Sequence, residues 1–220
     1  MLIIPFVIVI ATLGYFLSEK IKKHKLILYI ISTLIGILVL IFSKSNLTLP
    51  FNQGFIGFSF FYVVMIIGLL NKESTIFKRL FRVRPELSIM GFILLSPHAI
   101  YYLIERFTQN YLPDSRIVAI SFVIGILAYL IMVPLFITSF KVIENRKQFF
   151  KWKKLQRFAY FVYLAIFLHI VFVAEIPNLL IYLILFIPYF IYKPIHFIKH
   201  EKPLHKKMNM NKNSSNGNYK

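Results

Sequence analysis

The chain has 220 residues, is 58% hydrophobic and only 15% charged, and combines a formal charge of +18 with no cysteine. Soluble domains run nearer half apolar and a quarter charged, so this balance points to an integral membrane protein. The missing cysteine excludes disulfides, thiolate metal ligands, Fe–S clusters and a catalytic thiol.

A helix needs about 20 apolar residues to cross a hydrocarbon core of roughly 30 Å. Seven apolar runs of about that length follow one another, at about 2–17, 26–43, 54–70, 86–105, 117–139, 158–176 and 179–197. The first run resembles the apolar stretch of a signal peptide in length. It lacks a basic leader and a small-residue cleavage motif and ends at Ser18-Glu19-Lys20, so a retained helix is expected. The sixth and seventh runs are divided by Pro177 and Asn178, the pattern of a tight helical hairpin.

The expected fold is therefore all-α, a polytopic bundle of about seven transmembrane helices. Its helical domain spans 1–197, with a core at about 54–197, and a basic cytoplasmic tail follows at 198–220. That tail is polar and without apolar periodicity, as disordered segments are. Basic residues are placed with strong bias. The segments 18–25, 71–85 and 140–157 and the tail from 193 hold 23 of the 26 lysines and arginines. The remaining turns hold Lys44, Arg106 and Arg116. Cytoplasmic loops collect Lys and Arg, which places the N-terminus outside and the C-terminus inside the cell membrane. The positive charge thus reads as a topology signal beside the lipid bilayer, aided by anionic lipid, and not as a nucleic-acid surface. No Gly-rich phosphate loop or dinucleotide fingerprint is present, so a flavin or nicotinamide domain would have to come from another chain.

Two histidines lie deep in apolar runs, His98 in the fourth and His169 in the sixth. Ionisable side chains are costly at such depth, and a protein keeps them there when it uses them. His98 stands twelve residues beyond Glu86 and His169 eleven beyond Phe158. At about 1.5 Å per residue, both rise roughly 17–18 Å from the inner end on helices that run the same way. Two neutral imidazoles at one depth can clamp an iron along the axis of a haem, and no thiolate or carboxylate lies nearby to suggest another centre. A bis-histidine haem b is the economical reading; the bland alternative is two separate helix-to-helix hydrogen bonds. Pro97, just before His98, frees a backbone carbonyl and allows a kink. His24, His196, His200 and His205 fall in basic flanks and read as solvated.

The sequence Thr138-Ser139, a basic loop, then Trp152-Lys-Lys-Leu155-Gln-Arg-Phe158-Ala-Tyr160 and His169 resembles the ferric reductase-like transmembrane family. Within it, the stretch from about 84 to 175 is most similar to the haem-binding membrane subunit of the periplasmic methionine sulfoxide reductase system. The resemblance implies an iron-containing, haem-binding component of electron transport. In that family two histidines stand thirteen residues apart on the later ligand helix, serving an inner and an outer haem. Here Gln156 stands thirteen before His169, and Pro85 thirteen before His98. The resemblance therefore implies one outer haem, with His98 and His169 as metal ligands. Arg84, Gln156 and Arg157 at the inner mouth are candidates to receive a flavin phosphate or amide edge from a partner, since guanidinium groups suit phosphate. Snorkelling interfacial charge is their plainer reading.

The function expected is a transmembrane b-type cytochrome. It would act as a ferric reductase-like oxidoreductase or as an electron-transfer subunit without its own flavin or nicotinamide domain. The donor would be a cytoplasmic flavin reductase or a quinol. The acceptor would be a ferric chelate, oxygen or an extracytoplasmic reductase subunit. Tyr101, Tyr102, Tyr160 and Tyr163 are candidates to pack around the porphyrin. The alternative is a haem-free membrane transporter or scaffold, although transporters usually carry more interrupted helices and buried polar groups than this chain does.

Overall fold

Apolar runs this long have one solution in a bilayer, because every backbone N–H and C=O must be satisfied within the segment itself. The computed structural model describes residues 3–108, 116–140, 152, 154–174 and 176–196, and every regular element among them is helical. The expectations for the 198–220 tail, and for most of the basic loop after Phe140, lie outside the described residues.

Helices α1 (Ile3–Phe16), α2 (Ser18–Lys23) and α3 (Lys25–Ile41) come first. A 3-10 turn at Asn46–Thr48 leads into the short α4 (Leu49–Asn52) and then α5 (Phe55–Ile67). After α6 (Thr75–Arg82) follow α7 (Arg84–Thr108), α8 (Arg116–Ser139), α9 (Ala159–Val173) and α10 (Ile176–His196). Each of the seven apolar runs thus contains a helix. Among the described residues, four stretches are long and apolar enough to cross a membrane: Asn46–Ile67, Arg84–Thr108, Arg116–Ser139 and Lys154–Val173. The apolar helices Ile3–Phe16, Lys25–Ile41 and Leu179–Tyr192 are shorter. At 1.5 Å per residue, the 14 residues of α1 reach only about 21 Å.

Two loop expectations change in the structure. Segment 71–85, read as a basic loop, contains α6, which Ser74 caps by accepting the Phe77 N–H at 3.1 Å. The hairpin between the last two long helices breaks at Ala174, and Pro177 and Asn178 belong to the first turn of α10. Proline is at home there because the first helical N–H groups have no intrahelical acceptor.

The long helices pack in the order α5, α7, α8, α9, with α3 against α7, α1 against α5 and α10 against α9. The α5–α7 crossing is close because it meets at glycines. A Cβ on Gly57 would lie 2.6 Å from the Leu95 Cα, and one on Gly91 would lie 2.7 Å from the Phe60 Cβ. Small residues let helix backbones approach where no hydrophobic force distinguishes protein from lipid. Phe61, Phe92, Met132, Leu135 and Val162 fill the space between α5, α7, α8 and α9. Outward faces carry large apolar side chains, such as Leu26, Ile30 and Leu34 on α3 and Val123, Leu127 and Leu130 on α8.

Side-chain contacts gather the basic connections at one end of the bundle. Arg82 of α6 pairs with Glu19 of α2, and the Arg79 guanidinium lies 4.8 Å over the Tyr15 ring of α1. Tyr29, near the start of α3, meets Phe140 at the end of α8 with ring centres 5.6 Å apart. Arg84, at the start of α7, lies beside Tyr163 near the start of α9. Helix α4, which packs on the 3-10 turn, covers α7 further along, at the level of His98.

Candidate functional site

Helix α7 continues through Pro97, which has no N–H to donate back to Ile93. Helix α3 approaches closely there, and a Cβ on Gly36 would stand 3.6 Å from both the Ile93 carbonyl oxygen and the Pro97 ring. One residue on, the His98 Nδ1 lies 2.6 Å from the backbone oxygen of Asn52. A carbonyl oxygen only accepts, so Nδ1 donates, and the Nε2 of the neutral ring keeps its lone pair.

The acceptor is itself well anchored. Asn52 is 4% exposed, and its Nδ2 donates to the Ser43 carbonyl at 2.6 Å and to the Thr48 Oγ1 at 3.2 Å. The Thr48 hydroxyl donates within the same turn, its nearest acceptor being the Ser45 carbonyl at 2.8 Å. Gly54 then turns the chain into α5 with φ of +75°, a left-handed conformation that suits glycine. It also leaves room for the imidazole, since a Cβ at that position would sit 3.3 Å from the His98 Cγ and Nδ1.

His169 on α9 repeats the arrangement with a different partner. Its Nδ1 lies 2.9 Å from the Ser121 carbonyl oxygen on α8 and 2.9 Å from the Ser121 Oγ. The hydroxyl donates to the His169 carbonyl at 3.0 Å, so both oxygens of Ser121 face Nδ1 as acceptors. Nε2 is again the unprotonated nitrogen. Ser121 is fully buried. One turn along α8, a Cβ on Gly125 would stand 3.0 Å from the His169 Nδ1, so glycine lets the ring lie against the helix.

The two rings meet. Their centres are 6.2 Å apart and their planes stand at 81°. A histidine nitrogen binds a transition metal at about 2 Å, and the ring centre lies roughly 1.2 Å beyond it. Two imidazoles on opposite sides of one iron therefore have centres about 6.3 Å apart, so the observed spacing fits. With Nε2 available on each ring, a hydrogen-bond acceptor on each Nδ1 and a glycine beside each ring, His98 and His169 are the residues that would hold a metal centre here. Among the described residues no group of three or more His, Cys, Asp or Glu is close enough to hold a bare metal ion.

The other candidates are distributed unevenly. Tyr102 packs on His98 with centres 5.1 Å apart, and Tyr101 packs on Tyr102 and donates to Glu105 at 3.0 Å. Tyr163 is buried away from the imidazoles, against Tyr189 and the Arg84 guanidinium, and Tyr160 is exposed. The Gln156 Nε2 reaches the Thr138 Oγ1 at 3.3 Å, tying the stretch before α9 to the end of α8, and Arg157 is exposed. Arg84 and Gln156 thus face different neighbours, Tyr163 and Thr138.

Sequence reasoning did not find Asn52, Ser121, Gly54 or Gly125. Asn52 and Ser121 act largely through backbone oxygens, which leave no side-chain signature. A usable signal was the cluster of small polar residues Ser43, Ser45, Thr48 and Asn52 ahead of an apolar run.

No curated protein and no solved structure matches the chain. The family model of the ferric reductase-like transmembrane component matches residues 53–167, which include Arg84, His98, Gln156 and Arg157 and stop two residues before His169. That match covers more than half of the 220 residues, and the chain belongs to the ferric reductase-like transmembrane family.

Proposed function

We propose that the protein is a transmembrane b-type cytochrome, moving electrons from a cytoplasmic flavin or quinol donor to an extracytoplasmic acceptor. Family membership points to a membrane electron-transfer component, and this reading specifies the group that carries the electron. The observation that carries it is the pair His98 and His169, 6.2 Å apart, each with Nδ1 committed to a backbone oxygen. Bound between them, a haem would supply one-electron chemistry at a six-coordinate iron. The chain's own part is to fix both ring orientations, raise Nε2 basicity through the Nδ1 hydrogen bonds, and exclude water.

One haem per chain is favoured over two. The family's inner ligand positions hold Pro85 and Gln156 here, and the space between α7, α8 and α9 below His98 is packed with Phe92, Met132, Leu135 and Val162. The seven apolar helices are taken as seven spans with the N-terminus outside, because the basic connections gather at one end of the bundle. The acceptor would be a ferric chelate or a reductase subunit at the end where α4 covers His98.

The test is spectroscopic. Purified protein reduced with dithionite should show the split visible bands of low-spin haem b, with a pyridine haemochrome count near one per chain. His98→Ala and His169→Ala should each abolish those bands while the protein still inserts, and the double variant should be little worse because both act on one site. A colourless preparation from haem-replete cells, or an intact low-spin spectrum in either single variant, overturns the reading.

A further inference from the structure

Five aromatic rings form a continuous run through the inner half of the bundle, where a second haem would otherwise sit. Tyr29 meets Phe140 at 5.6 Å between ring centres, and Phe140 meets Phe136 at 5.0 Å. Phe136 stacks on Phe92 at 4.3 Å with planes 23° apart, and Phe92 stacks on Tyr129 at 5.1 Å with planes 14° apart. The Tyr129 hydroxyl donates to the Ser96 Oγ at 2.9 Å, two residues before His98. Gly125, which lies against His169, is one turn further along α8 from Tyr129. From Phe140 to Tyr129 the run climbs eleven residues of α8, about 16 Å along the axis. It begins at the end where the basic connections gather and stops just below the two imidazoles.

We infer that the run Phe140–Phe136–Phe92–Tyr129 is the electron path from the inner face to the His98–His169 site, taking the place of an inner cofactor; this rests on the haem reading above. Electronic coupling across a protein falls steeply at through-space gaps, and contiguous close-packed π systems carry it better than loosely packed aliphatic ones. Phe92 supplies the continuity. It belongs to α7, but it is sandwiched between Phe136 and Tyr129 of α8, which stand two turns apart and would otherwise leave a break. The rings are a medium and not stations. One electron leaves the donor, which is oxidised by one unit, and one arrives at iron, which is reduced by one unit. No ring gains or loses an electron, and Tyr129 keeps its proton through the Ser96 hydrogen bond.

The absence of cysteine makes the test clean. A Lys25→Cys substitution, one turn before Tyr29, gives a single thiol for a photoactive ruthenium label at the foot of the run. Flash excitation of the full-length, haem-loaded protein then times electron arrival at the haem. Phe92→Leu and Phe136→Leu keep apolar bulk and remove a ring, and each should slow arrival on the order of tenfold. Haem count, low-spin bands and midpoint potential should not change. Phe190→Leu, an aromatic on α10 off the path, should stay within about twofold of the parent. A second readout needs no haem: near-ultraviolet circular dichroism of the haem-free protein should lose the Tyr129 signal in Phe92→Leu and keep it in Phe190→Leu. Normal haem spectra with both leucine variants within that same twofold overturn the path, as does an unchanged dichroism signal in Phe92→Leu. A parent protein without haem bands overturns the cytochrome reading instead, and the path falls with it.

Discussion

Gly57→Ala isolates the contact that sets the distance between α5 and α7. The new Cβ would stand 2.6 Å from the Leu95 Cα and Cβ and 2.7 Å from the Leu95 N, all fixed by the helix backbone. Carbon atoms rest at about 3.5–4.0 Å, so the helices would have to part by about 1 Å at this point. Overpacking of this kind typically costs 1–3 kcal/mol, and with rigid backbone on the opposing side about 2 kcal/mol is expected. For a chain of this size that corresponds to a fall in melting temperature of about 4–8 °C. Gly14→Ala is the matched control, because its Cβ would meet the Leu80 Cδ2 at 3.0 Å, the end of a side chain that can turn aside. Thermal unfolding in one detergent, followed by size-exclusion fluorescence, compares the two. The close-packing argument is refuted if Gly57→Ala melts with the parent, or if Gly14→Ala falls as far.

Further outcomes concern the site and its orientation. Ser121→Ala removes the hydroxyl that bridges Nδ1 and the carbonyl of His169 but leaves the Ser121 carbonyl, so haem retention on dilution should weaken by about tenfold, the lower end of what losing a partner of a ligating histidine costs. Gly125→Val should weaken it further, because a branched side chain must enter where even a Cβ stands 3.0 Å from the ring; equal retention in both would undo the account of the glycine. Reporter fusions after residues 22 and 78 should report cytoplasm and a fusion near 48 outside, and any pair from opposite sets found on one side removes the proposed orientation.

The juxtaposition of His98 and His169 was legible because depth along a helix is countable: twelve and eleven residues from matched starts bring two parallel helices to one level. Facing each other is a further condition, and counting could not supply it. It depends on rotation, which the close α5–α7 crossing at Gly57 and the Ser121 contact between α8 and α9 determine. Those contacts were invisible for a physical reason. A glycine in an apolar run reads as a mild helix breaker, and an acceptor on the backbone of Asn52 is indistinguishable from any other carbonyl until the chain folds it over His98. The helices α1 and α3 nearly fill the apolar runs at 2–17 and 26–43, ending at Phe16 and Ile41, so their shortness was already present in the run lengths.

The two halves of the bundle treat polarity in opposite ways, and that contrast argues for a single redox site. Around the imidazoles, Asn52, Thr48 and Ser121 are each less than a tenth exposed, yet each makes at least one hydrogen bond. Burying several polar groups in an apolar setting is costly unless they are paired, so this degree of pairing marks a place where ring orientation matters. On the other side of Tyr129 the filling is Phe92, Phe136, Met132, Leu135 and Val162. Among the described residues two buried side-chain atoms lack a partner, one in each half: the Asn52 Oδ1 beside His98 and the Glu86 Oε2 here. A second haem would need two imidazoles and a planar slot; this region offers neither at Pro85 and Gln156, and its volume is taken by stacked rings. With a haem at the imidazole pair, as proposed, an electron entering at the basic end would have to cross protein before it reached iron. The rate of that crossing, more than the number of cofactors, would then limit the molecule, which is why leucine at Phe92 is the most informative single substitution in it.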